Sequence, residues 1–144
     1  MQKAFILSLA CLCAVVLTAC SAPQPPLVVS ELEITRPMPG MKMSAGFLVI
    51  TNNTDVTTRI TSVSSPQFAA VEIHETKVTD GISKMRELDA LEVPAQGSVV
   101  LERGGKHLML MRPQELEDSV TLQFYDGDLP LLRVDYSFTQ GERT

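Results

Sequence analysis

Beyond residue 20 this chain has no cysteine; its three are Cys11, Cys13 and Cys20. A disulfide framework is therefore excluded for everything downstream, and a domain there must hold itself together through its core. Also missing are a glycine-rich phosphate loop, a G-x-S-x-G turn and an HExxH pattern. With only two histidines, His74 and His107, and no thiol beside them, a Ser-His-Asp or Cys-His centre is hard to assemble. The chain accordingly reads as a non-enzyme. Positive charge is scarce as well. The net charge is −5 and the basic residues are scattered along the sequence, which argues against a nucleic-acid partner. No window of useful length repeats apolar residues at helical spacing.

What is present begins with an export signal. Residues 1–19 combine a short basic start, MQK, with the uncharged apolar run AFILSLACLCAVVLTA, too short and wrongly flanked for a transmembrane helix. The run ends in LTAC, which resembles the bacterial lipobox, so Cys20 is expected to become the lipidated first residue. Ser21 after it points to the outer rather than the inner membrane, by resemblance to other bacterial lipoproteins. Residues 20–26 would then be the lipidated cysteine and a proline-rich tether, SAPQPP. Residues 27–144 are left for one domain, roughly 115 residues, enough for one core and too few for two. The Asn52-Asn53-Thr54 sequon has no meaning in a bacterial lipoprotein.

That domain reads as β throughout. LVVSELEIT, AGFLVIT, TRITSVS, AVEIHE, GSVVLE, HLMLM, SVTLQFY and LLRVDYSF are short runs rich in Val, Ile, Thr and Phe. Turn material separates them: Pro37 to Gly40, Asn52-Asn53, Asp80-Gly81, Gly104-Gly105 and Asp126-Gly127. Val120, Leu122 and Phe124 alternate onto one face, as do Leu132, Val134, Tyr136 and Phe138. Strands at this spacing predict an all-β, two-sheet Greek-key sandwich.

Both histidines alternate onto the face the core does not need. In AVEIHE, Val71 and Ile73 take the buried side, leaving Glu72 with His74; in KHLMLM the leucines go inward and His107, Met109 and Met111 are left outside. Met85, between Lys84 and Arg86, would share a polar strand face with Ser83 and Glu87. Taken singly, a surface histidine or a gap-filling methionine is ordinary. As a set, two imidazoles and two thioethers form a coherent donor group. Thioether sulfur suits Cu(I) and serves Zn²⁺, Ca²⁺ or Mg²⁺ poorly. A blue-copper electron-transfer centre needs a thiolate, and the only mature cysteine is Cys20. Neutral soft ligands leave the ion exchangeable, which points to a carrier.

The spacing His74, ten residues, Met85, twenty-one residues, His107, one residue, Met109 resembles the H-x10-M-x21-H-x-M signature of periplasmic PCu(A)C-type copper chaperones. VEIHE, the KM at 84–85, VPAQGSVVLERGGKHLMLM and TLQFYDG agree with it, and the similarity extends over most of residues 30–138. The resemblance implies a cupredoxin-like β-sandwich binding Cu(I) through His74, Met85, His107 and Met109. It also implies copper delivery to a copper-accepting protein, cytochrome c oxidase or its assembly factors. Glu72 is the candidate partner for an imidazole. Met111 repeats the face one pleat further along and is expected to support the site or pack beside it. Met38, Met41 and Met43 lie in PMPGMKM without an obvious core duty, which leaves an accessory Cu(I) site open. RPQELEDS, after Met111, lacks the glycine expected before the next strand. A copper-buffering or tolerance protein using the same site, and a metal-free interaction module, are the alternatives.

Overall fold

The computed structural model describes residues 24–114 and 118–138. Cys20, the leader and most of the tether lie outside them, as do residues 115–117 of the loop that lacks its glycine. Among the described residues the chain forms eleven strands: β1 (Leu27–Ile34), β2 (Met43–Asn52), β3 (Thr58–Ile60), β4 (Ser62–Ser64), β5 (Phe68–Thr79), β6 (Ile82–Glu87), β7 (Leu91–Val93), β8 (Gly97–Leu101), β9 (Lys106–Pro113), β10 (Ser119–Asp126) and β11 (Leu129–Ser137). The fold is all-β, as the alternation predicts. One sheet runs β1-β2-β9-β5-β4-β10-β11, with β6 added at β5 and β8 at β2, while β3 and β7 form a second, small sheet. Neighbours such as β2 and β9, or β4 and β10, are far apart in sequence, the crossed connectivity a Greek-key sandwich requires. β1 also contacts β11, so the large sheet curls nearly shut.

The core explains how the chain dispenses with disulfides. Leu48, Ile50, Ile60, Val93, Leu101, Leu108, Leu110, Val120, Leu122 and Phe124 are each at most 2% exposed. Each such side chain contributes about 1.5–3 kcal/mol relative to leaving it in water. Val120, Leu122 and Phe124 are all inward, as their spacing requires. Asn52 is also fully buried. Its amide donates to the Val56 and Val93 carbonyls, and its oxygen accepts from Thr54. The sequon asparagine is thus a structural plug between loops.

Two departures from the sequence reading matter. TRITSVS is not one strand: it breaks at Thr61, β3 pairing with β7 and β4 with β5 and β10. And β5 runs on to Thr79, four residues beyond AVEIHE, to form a hairpin with β6. The turn is Asp80-Gly81, both at positive φ (53° and 76°), joining Thr79 directly to its partner Ile82. Two left-handed residues give the turn a twist that matches the strands on either side.

A candidate metal centre

The hairpin and the pairing of β5 with β9 build one outward face from three strands. His74 is the cross-strand partner of His107, Glu72 of Met109, and Thr76 of Met85. Directly paired residues in an antiparallel ladder share a face. All four singled-out residues, and Glu72, therefore stand on one side of β6-β5-β9. On the other side Val71, Ile73, Leu108 and Leu110 enter the core. β9 is held close to β2 at Gly46, where an added Cβ would come within 3.3 Å of both Leu108 and Leu110. Both leucines and the backbone of Gly46 thus fix the strand that carries His107 and Met109.

The two imidazoles are neighbours, with ring centroids 6.1 Å apart and planes tilted by 43°. His107 is not left outside, as alternation alone predicts. It points away from the core yet is only 8% exposed, flanked by the His74 ring and by the 102–105 turn. Alternation assigns a side, whereas cover on that side comes from residues the local pattern does not describe.

The hydrogen bonds decide which ring nitrogens are free. A carboxylate only accepts, so His74 donates its Nε2–H to Glu72 Oε2 at 2.9 Å. A carbonyl only accepts, so His107 donates its Nδ1–H to Gly105 O at 3.1 Å. In a neutral imidazole the remaining nitrogen carries a lone pair. For His74 that atom is Nδ1, buried and without a hydrogen-bond partner, and among the described residues it is the one such side-chain atom. A buried acceptor left bare costs about 1–3 kcal/mol unless something else occupies it. The Gly105 carbonyl also accepts from the Thr76 backbone N–H at 3.0 Å, which ties the turn to β5. This orienting carbonyl is missed by a reading that sees Gly104-Gly105 only as a turn. A hint lies in the spacing, since the carbonyl is two residues before the histidine it holds.

The sulfurs differ in access. Met109 is half-buried beside Glu72, whereas Met85 sits on the fully exposed β6 with 51% of its surface open. Met111 is one pleat beyond Met109, paired with Ala70 and Met43 rather than with a histidine. Among the described residues no three His, Cys, Asp or Glu side chains form a group that could hold a metal ion by themselves.

The fold has solved counterparts. The copper-bound PCuAC domain from PmoF2 superimposes with a TM-score of 0.63 at 16% identity, over 81% of this chain and 94% of that one. The solution structure of CuI-DR1885 from Deinococcus radiodurans gives 0.59 at 22% identity, over 83% and 80%. At such identities the likeness speaks for the fold. In sequence, "Putative lipoprotein Lxx21020" of Leifsonia xyli subsp. xyli (strain CTCB07) is 33% identical over 94 residues. That stretch is 61% of this chain and 57% of the relative, so the chain spans little more than half of the relative's length. The family model described as "Putative lipoprotein LpqE-like" matches residues 26–128, from the start of β1 to the end of β10, and the chain belongs to this LpqE-like family.

Proposed function

We propose that this chain is a cell-envelope carrier of Cu(I), holding the ion as cargo between His74, His107, Met85 and Met109. The observation that carries the reading is the bare, buried Nδ1 of His74 beside a second imidazole, with two thioethers on the same face. His74 Nδ1 and His107 Nε2 supply two neutral nitrogens and the methionines two neutral sulfurs, a donor set suited to Cu(I). Glu72 and Gly105 O hold the rings in the tautomers that ligation needs. Neutral donors bind without trapping, and the exposed Met85 is the donor a recipient would displace first. The copper in the copper-bound PCuAC domain from PmoF2 and in CuI-DR1885 supports this choice of ion. Lipidated through Cys20, the protein would work at a membrane surface and pass copper to an acceptor such as cytochrome c oxidase. It has no catalytic role in this reading. The lipoprotein descriptions of its family and relative support the anchor.

Anaerobic titration with Cu(I) against a chromophoric chelator tests it. One equivalent should bind to the wild-type protein, and His74→Ala or His107→Ala should lose most of that affinity. Wild-type affinity in both variants would defeat the reading.

A further inference from the structure

A second pair of thioethers lies on the same face, outside the four-residue set. Met43 opens β2 and is the cross-strand partner of Met111 on β9. Partners of this kind hold their Cβ atoms about 4.5–5.5 Å apart. The strand neighbours facing the same way, Ala45 and Ala70, are small and leave room around both side chains. Met43 is 52% exposed, and neither methionine serves the core, which β9 reaches through Leu108 and Leu110. Met43, Met111, Glu72, Lys42 and Arg112 line an open depression of about 480 Å³. Glu72 is the same carboxylate that holds the His74 ring, so the depression borders the imidazole pair. Met109 stands between the two, opposite Glu72 and one pleat, about 6.6–6.8 Å, from Met111.

We propose that Met43 and Met111 form a second, weaker Cu(I) site through which the ion enters and leaves the histidine site by way of Met109. The proposal rests on the Cu(I) reading of that first site. Each step is ligand exchange: a Cu–S bond to Met109 forms as the bond to Met111 or Met43 breaks. Copper stays Cu(I), and no proton moves, because a thioether carries none. Lys42 and Arg112 line the depression and oppose a resident cation, while the unpartnered Nδ1 of His74 next door attracts it. The ion therefore runs towards the histidines and rests only briefly on the methionine pair. Met38 and Met41 do not line the depression; they belong to the preceding turn, closed by the Met41 N–H on the Met38 carbonyl.

Anaerobic Cu(I) titration of the mature protein carrying ¹³C-methyl methionine tests the proposal. The first equivalent should shift the Met85 and Met109 methyls, and the second those of Met43 and Met111. Met43→Leu/Met111→Leu should lose the second response. It should also slow both loading from and release to a chelator by the same factor, leaving first-site affinity unchanged, because a route alters rates and not the equilibrium. A second sample labelled at leucine methyls, with Leu108 and Leu110 resonances unchanged, would verify that the variant is folded. In His74→Ala/His107→Ala the Met43 and Met111 methyls should still respond to Cu(I). Silence of these two methyls, a response at Met38 and Met41 instead, or wild-type exchange rates in the leucine variant would each overturn the proposal. Failure of Met85 and Met109 to respond to the first equivalent would instead count against the histidine site itself.

Discussion

Adjacent residues of β9 do opposite jobs. Leu110 is fully buried and Met109 looks outward beside Glu72. Leu110→Ala should therefore cost about 2–5 kcal/mol of stability, a transfer loss plus an unfilled cavity. Met109→Leu keeps volume and apolarity and should cost less than about 1.5 kcal/mol. Copper should respond in the reverse order: Met109→Leu loses a sulfur donor, whereas folded Leu110→Ala keeps all four. Chemical denaturation and Cu(I) competition on the same samples would check both halves. Unchanged Cu(I) affinity in Met109→Leu would remove this residue from the site. At this scale the sequence was informative, since a period of two places every side chain of KHLMLM on a face. The burial of His107 was not legible, because its cover comes from His74, thirty-three positions earlier, and from a turn. The free nitrogen of each ring was equally hidden, depending on an acceptor that only folding brings within reach.

The β5–β6 hairpin carries Met85 and is the weakest link in the proposed site. β6 is exposed at every position and, among the described residues, pairs only with β5, so its place depends on the turn. Gly81 lies at a φ of +76° with nothing within 4 Å of a Cβ added there. The cost of a side chain at that position is conformational, about 1–2 kcal/mol for the left-handed region. Gly81→Val should loosen β6 and lower Cu(I) affinity through Met85 without touching a ligand. Amide exchange would show β6 opening while β9 stays protected; an unchanged affinity with β6 open would mean Met85 is dispensable. The far face of the hairpin is held by charge. Glu75 meets Arg86 at 3.0 Å, Lys77 at 3.1 Å and Lys106 at 3.6 Å. Basic residues scattered in sequence are thus gathered by the fold. The Arg86 hydrogen bond, then Lys77, hold the Glu75 carboxyl below its ordinary 4.5. A lowered folded-state value stabilises the fold above the unfolded one and ceases to do so as pH falls through the folded value. Acid below about pH 4.5 should therefore loosen this hairpin, and Glu75→Gln should weaken it at neutral pH and remove the acid response. Amide exchange of β6 across pH would decide; equal acid sensitivity in both proteins would exclude Glu75 as the cause. β6 escaped the sequence reading as a run because SKMRE offers no apolar alternation to mark it.

Across the whole molecule, most strand runs were legible, β6 and β7 excepted, and their pairings were not. Alternation gives faces, but nothing local says that β9 lies between β2 and β5, and that choice is what sets His107 and Met109 beside His74 and Glu72. The resemblance to a copper-chaperone signature points to His74, Met85, His107 and Met109 through spacing alone, and the pairing brings these four onto one face. The proposed lipid site is remote in sequence from this assembly. Cys20 precedes β1 by seven positions and His74 by fifty-four, so a lipid there is a matter of place and not of ligation. Cys20→Ala, produced in soluble form, should bind Cu(I) with wild-type stoichiometry and affinity. In cells it should leave the membrane fraction and lower cytochrome oxidase activity when copper is scarce. Capture is intact in such a variant while delivery at the membrane surface is lost. Added copper should restore the oxidase by mass action. His107→Ala should give the same respiratory defect for the opposite reason, being anchored but unable to hold the ion. Normal oxidase activity in both strains under copper starvation, with sensitivity only in copper excess, would assign the protein to buffering instead of supply.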